Sequence, residues 1–370
     1  MWKTVKLGDV CTITNGSTPL RKEKRYWEEG NVPWFTIDDF RVQGKNITYT
    51  QQNVTQAAVD DKKVRLVPAN SVLLCCTASI GEAAIARVEM ATNQQFNALT
   101  PKSTALNSDY LYFVATTLTQ TLLSVSGSTT INFISMGKLK EISIPLPPLA
   151  EQQRIVAKLD NAFAEIDAAI DVAEKYKSDA QLLFKRKLEH HFHLGGDNWH
   201  TTTIGDELTL QRGFDITKKE QKEGNVPVIS SGGIKSFHNV AMAKAPGVVI
   251  GRKGSLGTTY YTEKDYFPHD TTLWIKDFKQ NEPKFCFFFF LSLDVKKLDS
   301  GAANPALNRN NVHPLKTFWA DKEVQKEVCD EFDKISVQTV ALTLLQENKI
   351  KQLLSLKSAI LAQELQSEAA

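Results

Sequence analysis

The sequence predicts an α+β protein built as a pseudo-twofold tandem repeat, with two β-rich globular domains and two long helices that pair as an antiparallel coiled coil. Three observations predict it. Short motifs recur once in the same order, each β-rich half is punctuated by Gly, Asn and Pro turns, and two long stretches of helical periodicity contain no Pro or Gly. A chain of 370 residues also exceeds what one hydrophobic core usually supports.

The first domain is assigned to residues 1–146. It opens with Trp2-Lys3-Thr4-Val5-Lys6-Leu7-Gly8-Asp9, a short strand entering a turn, with Gly16 behind it. The echo is Trp199-His200-Thr201-Thr202-Thr203-Ile204-Gly205-Asp206, with Gly213 behind it. Gly30-Asn31-Val32-Pro33-Trp34-Phe35 recurs as Gly224-Asn225-Val226-Pro227-Val228-Ile229. Val72-Leu73-Leu74 with Ser79-Ile80-Gly81 matches Val248-Val249-Ile250 with Ser255-Leu256-Gly257, and Ser126-Gly127 matches Ser300-Gly301. The lag is roughly 175 to 200 residues, far beyond a solenoid period, so a domain and its connector have been duplicated together.

The connector of the first half is a long helix within 147–195. Ile142-Ser143-Ile144-Pro145-Leu146-Pro147-Pro148-Leu149 cannot be helical, and Pro147-Pro148 is placed to stop one element and start the next. From about Glu151 to Phe192, apolar residues fall at Ile155, Leu159, Phe163, Ile166, Ile170 and Ala173, in steps of four and three, and Gly195-Gly196 closes the helix. The second domain occupies 196–318, with Phe285 to Leu293 as a core segment. In 319–370 the helix recurs from about Asp321 to Leu365, with Val328, Phe332, Ile335, Leu342, Leu345, Leu353, Leu356 and Ile360 on its stripe. Each stripe needs a cover, and the other copy supplies it. At about 1.5 Å per residue such a rod spans on the order of 60 Å, one or two turns of B-DNA.

Charge alone identifies no partner, since 44 Lys and Arg stand against 42 Asp and Glu. Cys11, Cys75, Cys76, Cys286 and Cys329 show no metal or disulfide spacing and read as reduced thiols. No stretch is apolar enough for a membrane span and none resembles an export signal, so a cytoplasmic location is expected. Nucleophile elbows, zinc-protease motifs and Walker lysines are all missing. Gly251-Arg252-Lys253-Gly254-Ser255 reads instead as a hairpin that presents Arg252 and Lys253 to a DNA backbone. Leucines flank Pro147-Pro148 where an amino-methyltransferase would need Asn or Asp and an aromatic, so methylation is not expected here. His190-His191-His193 reads as a surface helix terminus rather than a metal site. Lys185-Arg186-Lys187 is either a solvated face or a phosphate or partner contact.

Mixed basic, aromatic and amide segments carry the DNA reading. In the first domain they are Arg21, Lys22, Lys24 and Arg25 with Tyr26 and Trp27, then Arg41, Gln43 and Lys45, then Asn93, Gln94 and Gln95 within Asn93-Gln94-Gln95-Phe96-Asn97. Their counterparts are Lys218, Lys219, Lys222, Ser230, Ser231, Arg252, Lys253, His269 with Asp270, Asn304, and Asn308-Arg309-Asn310-Asn311. Cationic groups contact phosphates, while guanidinium and amide forks read base edges. An ordinary charged loop is the alternative for any one of them. The two sets differ almost everywhere, which predicts an asymmetric bipartite target rather than a palindrome.

The Trp-x-x-x-x-Leu/Ile-Gly-Asp openings and the helix entry Ile144-Pro145-Leu146-Pro147-Pro148-Leu149-Ala150-Glu151-Gln152-Gln153-Arg154-Ile155-Val156 resemble the specificity subunits of type I restriction-modification systems over essentially the whole chain. In the second copy, Phe318-Trp319-Ala320-Asp321-Lys322-Glu323-Val324-Gln325-Lys326-Glu327-Val328, the prolines are lost. The resemblance implies two target-recognition domains on double-stranded DNA and no catalytic residue, metal or cofactor on this chain. It also implies two modification subunits that bring S-adenosylmethionine and methylate adenine, and restriction subunits that translocate and cut with ATP and Mg. The rival readings are a coiled-coil scaffold for proteins alone and a stand-alone nucleic-acid enzyme.

Overall fold

The computed structural model describes residues 2–125, 134–294 and 306–366. The Ser126-Gly127 and Ser300-Gly301 echo and Asn304 lie outside them. The chain divides into two compact units, Met1–Ile170 with Lys351–Ala370, and Asp171–Ile350. Each unit thus combines one β-rich head with parts of both long helices, where the sequence suggested four consecutive segments.

In the first unit a five-stranded sheet runs in the order Cys11–Asn15, Phe96–Pro101, Val72–Cys75, Ala83–Ala86, Asn46–Ile47. A three-stranded sheet runs Asn53–Val54, Val32–Phe35, Ala91–Thr92. The strand Val72–Cys75 is buried on both faces, which is why its sequence is continuously apolar rather than alternating. Val72 and Leu74 pack with Tyr110, Leu111 and Val114 of the helix Ser108–Thr117, while Leu73 and Cys75 face Phe35, Phe96 and Met90.

The second unit repeats the plan. Its four-stranded sheet is ordered Thr209–Arg212, Thr272–Asp277, Gly247–Gly251, Thr259–Thr262, and its three-stranded sheet Gly233–His238, Val226–Ser230, Phe267–Pro268. Val248 and Ile250 point to one core, Val249 to another. The phenylalanine run is the helix Pro283–Ser292, with Phe285, Phe288, Phe289 and Phe290 buried. In both units the opening strand closes on the strand that feeds the long helix: Lys3–Lys6 pairs antiparallel with Ser143–Leu146, and Trp199–Thr203 with Lys316–Ala320.

The long helices span Leu149–Leu194 and Lys322–Leu365. The first is closed by Gly195 at φ +66°, a left-handed conformation that glycine adopts without a Cβ penalty. In the first unit Ile155 and Leu159 pack with Ile360, Leu361 and Leu365, and Lys357 Nζ lies 2.6 Å from Asp167. In the second unit Leu188 and Phe192 pack with Val328 and Phe332, and Lys187 Nζ lies 2.6 Å from Glu331. Early residues of one helix meet late residues of the other in each case, so the segments run antiparallel. The expected stripe of the second helix needs correction: Leu342, Leu345 and Leu356 are exposed by 38%, 61% and 48%, and Gln346 is the buried residue beside Leu345, a shift of the kind a 3.6-residue turn imposes on a regular heptad pattern.

The loss of prolines at the second helix entry is compensated. Asp321 O accepts from the amides of Val324 and Gln325, as Pro148 O does from Glu151 and Gln152. A buried glutamine then ties each helix to its head. Gln152 accepts from Asn107 N and donates to Ala105 O and Pro147 O, all at 2.8 Å. Gln325 accepts from Glu282 N at 2.8 Å and donates to Asn281 Oδ1 and Ala320 O at 2.7 and 2.9 Å.

His191 departs from the expected surface terminus. Its ring makes edge contacts with Phe192, Trp199 and Phe332, with centroids 5.3–5.7 Å apart, and its Nε2 is buried without a hydrogen-bond partner among the described residues. Burial holds its pKa below the ordinary histidine value, Glu331 opposes that, and Lys187 and His190 reinforce it. Burial lowers His313 likewise. A histidine with a depressed folded value binds fewer protons folded than unfolded, so this stability is complete above the unfolded value and falls as pH drops through the folded one. His191→Gln is therefore expected to flatten the loss of thermal stability between about pH 7.5 and 5. Midpoints that run parallel to wild type across that range would show that His191 does not contribute.

Candidate nucleic-acid interface

In the second unit the ends of several strands bring one loop cluster together. Arg252 and Lys253 donate their amides to Thr271 O at 2.8 and 3.1 Å, Leu307 donates to Arg252 O at 3.0 Å, and His269 donates to Ile229 O at 2.9 Å. Ser231 N meets Thr271 Oγ1 at 3.2 Å. Ser230, Ser231, Arg252, Lys253, His269 and Asn308 are thereby gathered by a hairpin frame.

The first unit holds the same frame with other side chains. Cys76 donates to Gln95 O at 2.8 Å, Ile134 to Cys76 O at 3.2 Å, and Asn93 to Phe35 O at 3.0 Å. Gly81 N reaches Cys75 O at 3.1 Å just as Gly257 N reaches Gly251 O at 2.8 Å. The echoed glycines serve one purpose: a Cβ at Gly16 would lie 1.9 Å from Asn93 O, and one at Gly213 would lie 2.1 Å from His269 O. Matching backbone positions therefore carry Cys76, Thr77, Asn93 and Gln95 in one unit and Arg252, Lys253, His269 and Thr271 in the other.

The side chains singled out by sequence have varied surroundings. Arg21 is exposed, stacks over Trp27 at 3.9 Å and donates to Gln52 Oε1 at 2.7 Å. Lys24 pairs with Glu28 at 2.9 Å, Arg25 with Asp61 at 2.7 Å, and Arg41 with Asp38 at 3.3 Å. Gln94 is exposed and accepts from Thr18. Lys22, Lys218, Lys219 and Lys253 are exposed, with no ion pair among the described residues. Arg252 donates to Asp270 O at 3.4 Å, His269 Nδ1 lies 3.0 Å from Thr271 Oγ1, Ser230 donates to Gly233 O, and Asn308 caps the short helix that begins at the exposed Arg309.

Four assignments need correction. Tyr26 is a core residue, 4% exposed, with its hydroxyl donating to Asp61 at 2.9 Å, so it offers no stacking face. Asn93 is buried and its amide is spent on Gln95, whose N and Oε1 it meets at 3.0 Å each. Gln43 staples a turn, donating to Tyr49 O and accepting from Thr48 N. Lys45 is mostly buried, 2.6 Å from Asp160 on the long helix and 3.2 Å from Asp109. Conversely, Lys62, Lys63 and Arg65 are exposed, and Arg65 donates to Asn15 Oδ1 at 2.5 Å while Lys63 O accepts from Ser17. The basic run Lys62-Lys63-Val64-Arg65 was the available signal.

Burial pushes the thiols out of reach of neutral-pH nucleophilic chemistry, Cys11 and Cys329 to about 12 and Cys76 to about 11. Among the described residues no group of three or more His, Cys, Asp or Glu is placed to hold a metal ion, and no helix is long and apolar enough to cross a membrane.

Comparisons with known proteins agree with this layout. A family model described as the type I restriction modification DNA specificity domain matches residues 1–172 and again 196–352. The chain is 34% identical over 240 residues to the type I restriction enzyme MjaIX specificity subunit of Methanocaldococcus jannaschii, covering 59% of this chain but only 54% of that protein. It is 24% identical over 364 residues to the EcoprrI specificity subunit of Escherichia coli, covering 91% of this chain and 88% of the relative. A solved structure from work on assembly and conformational transition of the type I R-M system shares the fold with a TM-score of 0.82 at 17% identity, covering 99% of this chain and 98% of that one. The HsdS subunit of Thermoanaerobacter tengcongensis gives 0.57 at 17%, covering 98% and 96%.

Proposed function

Because the chain belongs to the type I restriction-modification DNA specificity family, we propose that it selects the DNA target for partner subunits that carry out the chemistry. One observation carries the reading: two loop clusters share a backbone frame yet present different side chains, an uncharged set with Thr77, Gln94 and Gln95 in one and a cationic set with Arg252 and Lys253 in the other. Like frames with unlike contents suit two different half-sites of one asymmetric bipartite target on double-stranded DNA. The long helices set the spacing between them. They also offer a docking surface, since Leu183, Val337, Val340, Leu344, Leu345 and Leu354 are all more than half exposed. Two modification subunits occupy it, bringing S-adenosylmethionine, and restriction subunits bring ATP and Mg.

The test is a gel shift with the purified chain, alone and with its modification partner. Salt-sensitive, sequence-selective retention of duplex DNA without turnover supports the reading; binding with no sequence preference under all conditions refutes it. Within that assay Lys253→Ala is expected to weaken binding about equally across sequences and to lower the slope of log K against log salt by about 1. A change in preferred sequence with an unaltered slope would instead make Lys253 a base reader.

A further inference from the structure

Aligning the two long helices on Gln152 and Gln325, which hold the same place in their units, carries Leu159 onto Phe332 and Asp160 onto Asp333. The match is structural as well. Asp160 is latched by Lys45 at 2.6 Å and Asp333 by Lys284 at 2.7 Å, although those lysines come from unrelated parts of their heads. Charges directed at the opposite long helix break the pattern. Arg154 becomes Glu327, Lys158 becomes Glu331, and His191 becomes Glu364.

The contacts use this inversion. In the first unit Glu364, its side chain only 7% exposed, receives Lys158 at 2.6 Å and Arg154 at 3.3 Å. In the second unit Glu331 receives Lys187 at 2.6 Å. If a second copy of the first helix replaced the second helix, Lys158 would face Lys187, and His191 would stand where Glu364 neutralises Arg154 and Lys158. If a second copy of the second helix replaced the first, Glu327 and Glu331 would face Glu364. The Asp167–Lys357 pair would vanish both ways, because its counterparts are Val340 and Phe184. Like charges around the nearly dry Glu364 position are the costly part, whereas the exposed Lys187–Glu331 pair contributes little by itself.

We propose that this seam is coded to accept one first helix with one second helix and to reject either helix paired with a second copy of itself, so that every assembled seam brings together one head of each kind. The proposal concerns the helices alone and stands apart from what the heads bind.

Two full-length variants test it. E331K/E364K makes both helices basic at these positions, and R154E/K158E/K187E makes both acidic, so each chain repels itself while complementing the other. Each alone is expected to lose roughly 5–10 °C in Tm, and the two, co-expressed with different tags, to copurify as a complex of one chain of each. The chain carrying all five substitutions should regain the wild-type Tm and mass, which guards against variants that simply fold poorly. Wild-type Tm in both separate variants, no recovery in the five-fold chain, or no copurification would each overturn the proposal.

Discussion

Phe332→Ala is expected to lower the stability of the second unit by about 3–5 kcal/mol, the range for emptying a buried aromatic site. Phe332 has no exposed surface, and its ring lies 5.3 Å from His191, 5.6 Å from Phe288, 6.2 Å from Phe192 and 6.3 Å from Phe184. It therefore joins three pieces at once: the end of the first long helix, the start of the second, and the phenylalanine-rich helix of the head. Rigid helices cannot collapse onto the void, so the cavity cost adds to the lost transfer energy. Calorimetry should show a transition roughly 6–20 °C lower, and Phe332→Leu should recover part of it. A loss under about 1 kcal/mol would mean that this cluster is loosely packed.

Gln152→Ala is expected to cost about 2–3 kcal/mol in the first unit, because it strands the buried acceptor Pro147 O and breaks two part-buried hydrogen bonds, those with Asn107 N and Ala105 O. Gln152 is fully buried. Gln152→Glu keeps the shape but loses both donors and introduces a buried charge, so at neutral pH it should be no milder, with partial recovery on acidification. Equal stability of Gln152→Glu and wild type at pH 7 would contradict the hydrogen-bond assignment. The corresponding Gln325→Ala should act on the second unit.

The repeat was legible because its signals are local: glycines at Gly16 and Gly213 where a Cβ would strike a carbonyl, a double proline at the first helix entry, and stripes at steps of three and four. The pairing followed from covering those stripes, and its antiparallel sense from chain connectivity, since the first helix leads into a second globular domain before the second helix begins. Less legible was which polar side chains the tertiary structure would consume. Tyr26 and Asn93 lie in segments as polar as any exposed loop, and only the fold shows that Asp61 and Gln95 occupy them. Lys45 looked like its basic neighbours, yet Asp160, far away in sequence, claims it. The glutamine hubs were visible within a motif but not as hubs, since their partners Asn107 and Glu282 are set by packing. The second helix entry could not be read from prolines it lacks; Asp321 does the work through its backbone carbonyl.

The most direct measurement is binding-site selection from random duplexes, using the chain assembled with its methyltransferase partner. Two short defined blocks of different sequence, separated by a constant number of unspecified base pairs, are the expected outcome. One unbroken block, two identical inverted blocks, or no enrichment at all would contradict the reading of the heads as two dissimilar DNA readers.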